Sequence, residues 1–167
     1  SVLRRQIQRA HDAGYEPMAG TELEFFVLRE TYESAHRKGF DNLEPFGWYI
    51  EDYHTLQGTK VEPLVGAIRR HLDASGVPVE TSKGEWGPGQ EEINVKYADA
   101  LTMADRHVVL KNAAKEIAWA QGKAVTFMAK WDYGLAGSSS HIHMSLADKA
   151  GKPLFVDSKD ERGMSTL

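Results

Sequence analysis

Apolar residues recur every three to four positions in three parts of the chain, which predicts three amphipathic helices. The helical segments are residues 2–13, 60–75 and 99–121. Gly14, Gly76 and Gly122 follow them, where helix C-terminal caps are expected. The second helix contains Pro63, which we place in its first turn, where proline is tolerated.

Other segments alternate polar and apolar residues, which is typical of half-buried strands. The predicted strands are residues 15–28, 77–81, 92–97, 123–130 and 141–146. Residues 29–58 keep no sustained period and are predicted as loop with short strands. Alternating strands joined by long excursions predict an α+β fold, with a curved, largely antiparallel sheet that has helices on one face and an open second face.

Composition limits the classes of function. The 167 residues fit one domain, and a net charge of -4 argues against a nucleic-acid partner. The chain has no cysteine, so a metal ion would have to be held by oxygen and imidazole nitrogen. No segment is typical of a signal peptide or a membrane helix, which predicts a cytoplasmic protein with no membrane partner.

Three predicted strands place acidic or imidazole side chains two positions apart, and therefore on one face. These residues are Glu22 and Glu24 on the first strand, Glu92 and Asn94 on a later one, and His141, His143 and Ser145 on the last. If the faces coincide in one sheet, the carboxylates repel each other unless a cation lies among them. Carboxylates with one or two imidazoles favour Mg²⁺ or Mn²⁺ over zinc. Each pair alone has an ordinary explanation, because Glu-x-Glu is also common on solvated strand edges.

Five motifs follow one another in a recognisable order. They are Glu22-Leu23-Glu24-Phe25-Phe26, the stretch from Glu85 through Gly-Pro-Gly-Gln to Glu92 with Asn94, Ala104-Asp105, Thr126-Phe127-Met128-Ala129-Lys130, and the stretch from Gly137 to Leu146 with His141 and His143. Together they resemble the catalytic domain of the glutamine synthetase family over residues 16–146.

The resemblance implies an ATP-dependent carboxylate–amine ligase that joins glutamate and ammonia through a γ-glutamyl phosphate. It implies two Mg²⁺ or Mn²⁺ ions, the first held by Glu24, Glu85 and Glu92 and the second by Glu22 and His141. It further assigns Glu80, Tyr97, His143 and Ser145 to the nucleotide and Gly137 to the glutamate substrate. The Gly-Pro-Gly turn would let Glu85 and Glu92 reach one ion from two sides of a bend, while Glu91 points away and is expected at the surface or in a structural role.

Two positions depart from the family pattern. Ala136 stands where ammonia-using members commonly carry Asn, and Trp131 where Pro is frequent. A polyamine or another amine is therefore an alternative acceptor. By resemblance, residues 1–167 are expected to be part of a catalytic domain, with an N-terminal domain and a further C-terminal part outside them, to be inactive in isolation, and to form a homo-oligomer at full length.

Two other classes stay open from the residues alone. One is a metal-dependent hydrolase or cupin-like oxygenase built on His141 and His143, for which Asp148 is the nearby acid. The other is a non-catalytic relative that keeps the fold as a scaffold.

Overall fold

The computed structural model describes residues 1–167 as a five-stranded antiparallel sheet with helices packed against it. In chain order the elements are α1 Val2–Asp12, β1 Glu16–Leu28, α2 Tyr32–Arg37, α3 Thr55–Ala74, β2 Val79–Gly84, β3 Gln90–Asp99, α4 Ala100–Ala120, β4 Ala124–Thr126 and β5 Ser140–Ala147. None of the helices combines the length and apolar character needed to cross a bilayer.

The long strand β1 organises the sheet because it pairs with three others. Strand β3 lies along one side of it, and β2 continues the sheet beyond β3. On the other side, β5 pairs with the first part of β1 and β4 with its end, where Phe26 is opposite Thr126. All of these pairings are antiparallel, which confirms the predicted α+β class and the antiparallel sheet.

A single hydrophobic core lies between the sheet and helices α3 and α4. The sheet contributes Phe25 and Ile93, and the helices contribute Leu64, Ile68 and Leu110; all five are at most 1% exposed. Burying each of these side chains contributes about 1.5–3 kcal/mol. Because side chains alternate along a strand, the intervening polar residues of β1 and β3 face away from the helices.

Several predicted boundaries are wrong. Helix α3 begins at Thr55 rather than at residue 60, so Pro63 lies inside the helix and not in its first turn. Pro63 is exposed, and polar residues that precede it mask the helical period before residue 60. Val108 belongs to the apolar pattern of the predicted helix 99–121, but it lies on the solvent side of α4 and is 67% exposed.

The predicted loop 29–58 contains the short helix α2, which the sequence pattern missed. A capping box stabilises the N-terminus of α2. The Thr31 hydroxyl accepts from the Ser34 N–H, and the Ser34 hydroxyl accepts from the Thr31 N–H, both at 3.0 Å. Conversely, the predicted strand 123–130 is too long, since β4 spans only Ala124–Thr126.

Candidate metal centre

Polar side chains form rows across the open face of the sheet. In the first row, Glu92 of β3 is the register partner of both Glu24 of β1 and Lys83 of β2. Direct partners on one face have Cβ atoms about 4.5–5.5 Å apart. Two carboxylates and one ammonium group are therefore immediate neighbours.

The second row adds an imidazole. Asn94 of β3 is the register partner of Glu22 and Thr81, and Glu22 is in turn the partner of His141 on β5. The Glu22 carboxylate lies 3.1 Å from His141 Nδ1 and 2.9 Å from His143 Nε2. Glu22 therefore links β5 to the acidic rows.

Two groups of side chains bring their ligand atoms within 4.8 Å of one another. One group is Glu24, Glu85 and Glu92, and the other is Glu22, Glu92 and His141. The structure thus brings together all five residues predicted as metal ligands, with Glu92 common to both groups. Their roles as ligands stay predictions.

The electrostatics of Glu92 indicate why a cation fits here. Burial raises the pKa of the Glu92 carboxyl, a hydrogen bond from Asn94 opposes this, and the charges of Glu85 and Glu22 raise it further, while Lys83 lowers it. The Asn94 Oδ1 atom is buried and has no hydrogen-bond partner. Hard oxygen donors with one imidazole match the preferences of Mg²⁺ and Mn²⁺, so the donor set fits the ions that the sequence predicted.

The turn between β2 and β3 holds Glu85 beside Glu92. Glu85 N–H donates to the Gln90 carbonyl at 2.8 Å, and Gln90 N–H donates to the Gly87 carbonyl at 3.0 Å. Gly89 has φ of +74°, which glycine adopts without strain. The bend therefore places both carboxylates at one end of the hairpin.

Gln90 is a supporting residue that the sequence did not reveal. Its side chain is 1% exposed, and its Nε2 donates to Glu24 Oε2 and to the Gly137 carbonyl, both at 2.9 Å. The Ser139 N–H also donates to Glu24 Oε2, at 3.0 Å. These contacts fix the Glu24 carboxylate and bring Gly137, the predicted substrate residue, to the edge of the acidic cluster. The predicted strand began at residue 92, two positions too late to include Gln90, which shares the face of Glu92 and Asn94.

Three of the residues predicted to bind nucleotide, Tyr97, His143 and Ser145, lie along the same face, but the predicted set forms no single contact cluster. A Cβ placed on Gly20 of β1 would be 3.7 Å from Tyr97 Cβ and 3.8 Å from His143 Cβ, so the absent side chain leaves a gap between these two. Ser145 is opposite Met18 farther along β5. Glu80 is exposed at the irregular register of β2. Their nucleotide roles stay predictions.

Comparison with known proteins agrees with this arrangement. A family profile described as "Glutamine synthetase, catalytic domain" matches residues 1–167. The chain belongs to the glutamine synthetase family. This membership confirms the resemblance on which the predicted chemistry rests.

Relatives within the glutamine synthetase family include enzymes named for organic amines as well as glutamine synthetases. The chain is 47% identical over 151 residues to a gamma-glutamylethanolamide synthetase of Streptomyces coelicolor, which covers 90% of this chain and 32% of that protein. It is 36% identical over 167 residues to a glutamate–isopropylamine ligase of a Pseudomonas species, covering 100% of this chain and 36% of the relative. It is 35% identical over 166 residues to the glutamine synthetase of Thermotoga maritima, covering 98% and 36%. The chain therefore spans 32–36% of these relatives.

Solved structures of the glutamine synthetase family share the fold. A structure described as apo GmaS without ligand superposes with a TM-score of 0.84 at 28% identity, covering 98% of this chain and 37% of that one. The cryo-electron microscopy structure of Plasmodium falciparum glutamine synthetase gives a TM-score of 0.75 at 22% identity, covering 98% and 37%. The second likeness shows the fold alone.

Asp148, the nearby acid of the hydrolase alternative, has a structural role in this fold. Asp148 Oδ1 accepts the N–H groups of Ala150 and Lys152, at 2.8 and 2.9 Å. Its carboxylate thus closes a turn after β5. The partner of both His141 and His143 is instead Glu22, from β1.

Glu91 was expected at the surface or in a structural role. It is 2% exposed and lies on the helix side of β3. Burial, together with the charges of Glu51, Glu85 and Glu62, raises the pKa of the Glu91 carboxyl to about 9. Neighbouring positions Ile93 and Val95 point the same way into the core, so the alternation itself predicts an inward side chain. The surface alternative is therefore wrong, and the structural role stays a prediction.

Residues 45–53, which we call the strap, cover the outside of the β2–β3 turn. Phe46 N–H donates to the Val27 carbonyl at 2.8 Å, and Glu51 Oε1 accepts the Gly89 N–H at 2.9 Å. A Cβ on Gly47 would be 2.4 Å from Gly89 N, so the two backbones touch. The sequence offered no periodic signal for the strap, because its irregular backbone depends on contacts distant in the chain.

Proposed function

We propose that the protein is an ATP-dependent ligase that joins the γ-carboxylate of glutamate to an amine through a γ-glutamyl phosphate. The observation that carries this proposal is the shared position of Glu92 between the two ligand groups, in a chain of the glutamine synthetase family. In the first step, the terminal phosphoryl group of ATP passes to the γ-carboxylate, giving ADP and an acyl phosphate. In the second, the amine nitrogen attacks the acyl carbon, phosphate leaves, and the nitrogen loses a proton.

Two Mg²⁺ or Mn²⁺ ions, one at Glu24, Glu85 and Glu92 and one at Glu22 and His141, would supply the charge neutralisation that phosphoryl transfer needs. The chain's own contribution is to hold these side chains in place. Gln90 and Ser139 restrain the Glu24 carboxylate, and Glu22 restrains both imidazoles through contacts of 3.1 and 2.9 Å. Such outer contacts matter because catalytic groups must be held closely in their working geometry.

The open face also offers a place for the nucleoside. The Gly20 gap lies between the exposed Tyr97 ring and His143, on the strand that carries Glu22. An aromatic ring beside a part of the sheet surface without a side chain suits stacking of a base, and the adjacent ion ligands would face the phosphates. We therefore propose that ATP lies along β1 and β5, with its phosphates toward Glu22 and His141.

We propose a small organic amine as the acceptor. The support is the departure at Ala136 and Trp131, together with the organic amines named in relatives at 47% and 36% identity. Ammonia is the second candidate, because the Thermotoga maritima glutamine synthetase is 35% identical, close to the isopropylamine ligase. Glutamate is the proposed acid in both cases. The cytoplasmic location and the homo-oligomer stay predictions.

An amine panel tests this function. ADP release from the purified full-length protein would be measured with ATP, glutamate and Mg²⁺ or Mn²⁺, over ammonia, methylamine, ethanolamine, isopropylamine and a polyamine. The γ-glutamyl product would be identified by mass spectrometry. We expect release that requires both an amine and glutamate, with an organic amine faster than ammonia. Fastest release with ammonia would reverse the choice of acceptor, and no release with any amine would favour the scaffold alternative.

A further inference from the structure

Lys83 brings a positive charge into the acidic rows from β2. Its Nζ lies 2.7 Å from Glu85 Oε1 and 3.2 Å from Asp52 Oδ1. The same ammonium group lies 4.7 Å from the centroid of the Tyr53 ring. Lys83 thus touches a predicted ion ligand and two residues of the strap at once.

We propose that Lys83 is a positioning residue for the Glu85 carboxylate and that it couples the strap to the ion site. This inference rests on the ion binding contained in the proposed function. A carboxylate has two oxygens, so a lysine bound to Glu85 Oε1 leaves Oε2 for an ion. Lys83 would then act as the outer-sphere partner that orients a ligand.

The burial of the three charged groups distinguishes this contact from a loose surface ion pair. The side chains of Lys83, Glu85 and Asp52 are 29%, 18% and 31% exposed. Exposed pairs contribute little because two long side chains must be ordered in water. Here the Lys83 ammonium is already restrained by two carboxylates and by the face of an aromatic ring, so little further ordering is needed.

The strap cannot shift freely against this contact. Glu51, next to Asp52, accepts the Gly89 N–H, and a Cβ on Gly84 would be 2.4 Å from the Glu51 carbonyl oxygen. Asp52 is therefore fixed to the turn end of the β2–β3 hairpin, where Glu85 and Glu92 lie. A change in the strap would reach the ion site through Asp52 and Lys83.

Mn²⁺ affinity provides the test, because it can be measured by electron paramagnetic resonance without turnover. Loss of an outer-sphere partner weakens metal binding about 10- to 100-fold. We expect Lys83→Met to raise the Kd of the Mn²⁺ that depends on Glu85 by this factor. Asp52→Asn should weaken binding less, and the double variant should be no weaker than Lys83→Met alone, because Asp52 acts through Lys83.

Lys60→Met is the matched control. Lys60 also places its ammonium group over an aromatic ring of the strap, 5.1 Å from the Trp48 centroid, but it contacts no predicted ligand. This variant removes the same charge and should leave the Mn²⁺ affinity unchanged. Melting temperatures in EDTA would verify that all variants are folded.

Three results would count against the proposal. Unchanged or tighter Mn²⁺ binding by Lys83→Met would show that Lys83 merely competes with the ion, which overturns the inference while leaving the proposed function intact. Equal weakening by Lys60→Met would reduce the effect to overall charge and would also overturn it. No Mn²⁺ binding by the unaltered protein would overturn the inference together with the proposed function.

Discussion

Glu24 and Glu92 are direct cross-strand partners in the β1–β3 ladder, and both side chains are at most 9% exposed. Like charges at directly opposed positions destabilise a sheet. The ion-free protein therefore bears an unfavourable interaction that a bound cation would relieve.

The first prediction concerns this pair. Glu92→Gln should stabilise the ion-free protein by about 1 kcal/mol, or about 2–4 °C in Tm, because it removes the repulsion. Mn²⁺ should raise the Tm of the unaltered protein and leave that of the variant unchanged. Differential scanning fluorimetry in EDTA and in Mn²⁺ measures both effects.

Glu116→Gln serves as the control for that experiment, since Glu116 is an exposed residue of α4 in the helix layer. Its Tm should rise with Mn²⁺ as in the unaltered protein. An undiminished Mn²⁺ response in Glu92→Gln would contradict the assignment of both ligand groups.

The two histidines of β5 should separate in function although both contact Glu22. His141→Asn should abolish or strongly weaken one of two Mn²⁺ sites, because His141 belongs to the ligand group with Glu22 and Glu92. His143→Asn should keep both ions and weaken ATP binding. Mn²⁺ titration followed by electron paramagnetic resonance gives the stoichiometry, and ATP affinity is measured separately; equal loss of Mn²⁺ in both variants would refute the distinction.

The gap at Gly20 predicts a graded steric effect on nucleotide binding. Gly20→Ala should be tolerated, because its Cβ would make ordinary contacts of 3.7 and 3.8 Å. Gly20→Val adds two further methyl groups on that Cβ, between Tyr97 and His143, and should weaken ATP binding about tenfold or more, which corresponds to about 1.4 kcal/mol. Mn²⁺ affinity should not change. Calorimetric titration with ATP measures the affinity of Gly20→Ala and Gly20→Val. Equal ATP affinity in the two variants would show that the nucleoside does not bind beside Gly20.

Glu91 predicts a pH dependence of stability. Its pKa is raised from an ordinary 4.5 to about 9 in the folded protein, so between these values the folded state holds a proton that the unfolded chain has released. The free energy of unfolding should therefore fall as pH rises from about 4.5 to about 9. Glu91→Gln should make this decline shallower and stabilise the protein at pH 8 by at least about 1 kcal/mol.

Urea denaturation in EDTA at several pH values measures the slope for Glu91→Gln, with the exposed Glu116→Gln as the reference. A variant with the same slope as the unaltered protein would show that Glu91 does not carry this pH dependence.

Much of the ion-site geometry could be predicted from the alternation of polar and apolar residues along the strands. Glu22 and Glu24 share a face because they are two apart on a strand, and the same holds for His141 and His143. What the period could not give was the register: that Glu92 is opposite Glu24 depends on pairing between segments far apart in the chain. The family resemblance supplied that information.

The failures have a different origin. Gln90 and Glu51 act through hydrogen bonds to a distant side chain and a distant backbone N–H, which no local pattern encodes. Helix α2 was missed because a six-residue helix is too short to establish a hydrophobic period. Its capping box was the available signal, and Thr31 with Ser34 three residues later lacks the usual Glu or Gln.

The strap differs in backbone structure from the strands that carry four of the predicted ligands. Glu22, Glu24, Glu92 and His141 lie on paired strands, whereas the exposed aromatic rings of the strap lie on irregular backbone beside them. Irregular segments accept substitution more readily than strands whose every side chain has an assigned face. Substitutions at the exposed aromatic positions of the strap, Trp48 and Tyr49, should therefore be tolerated more readily than substitutions on the strands that carry the ligand groups.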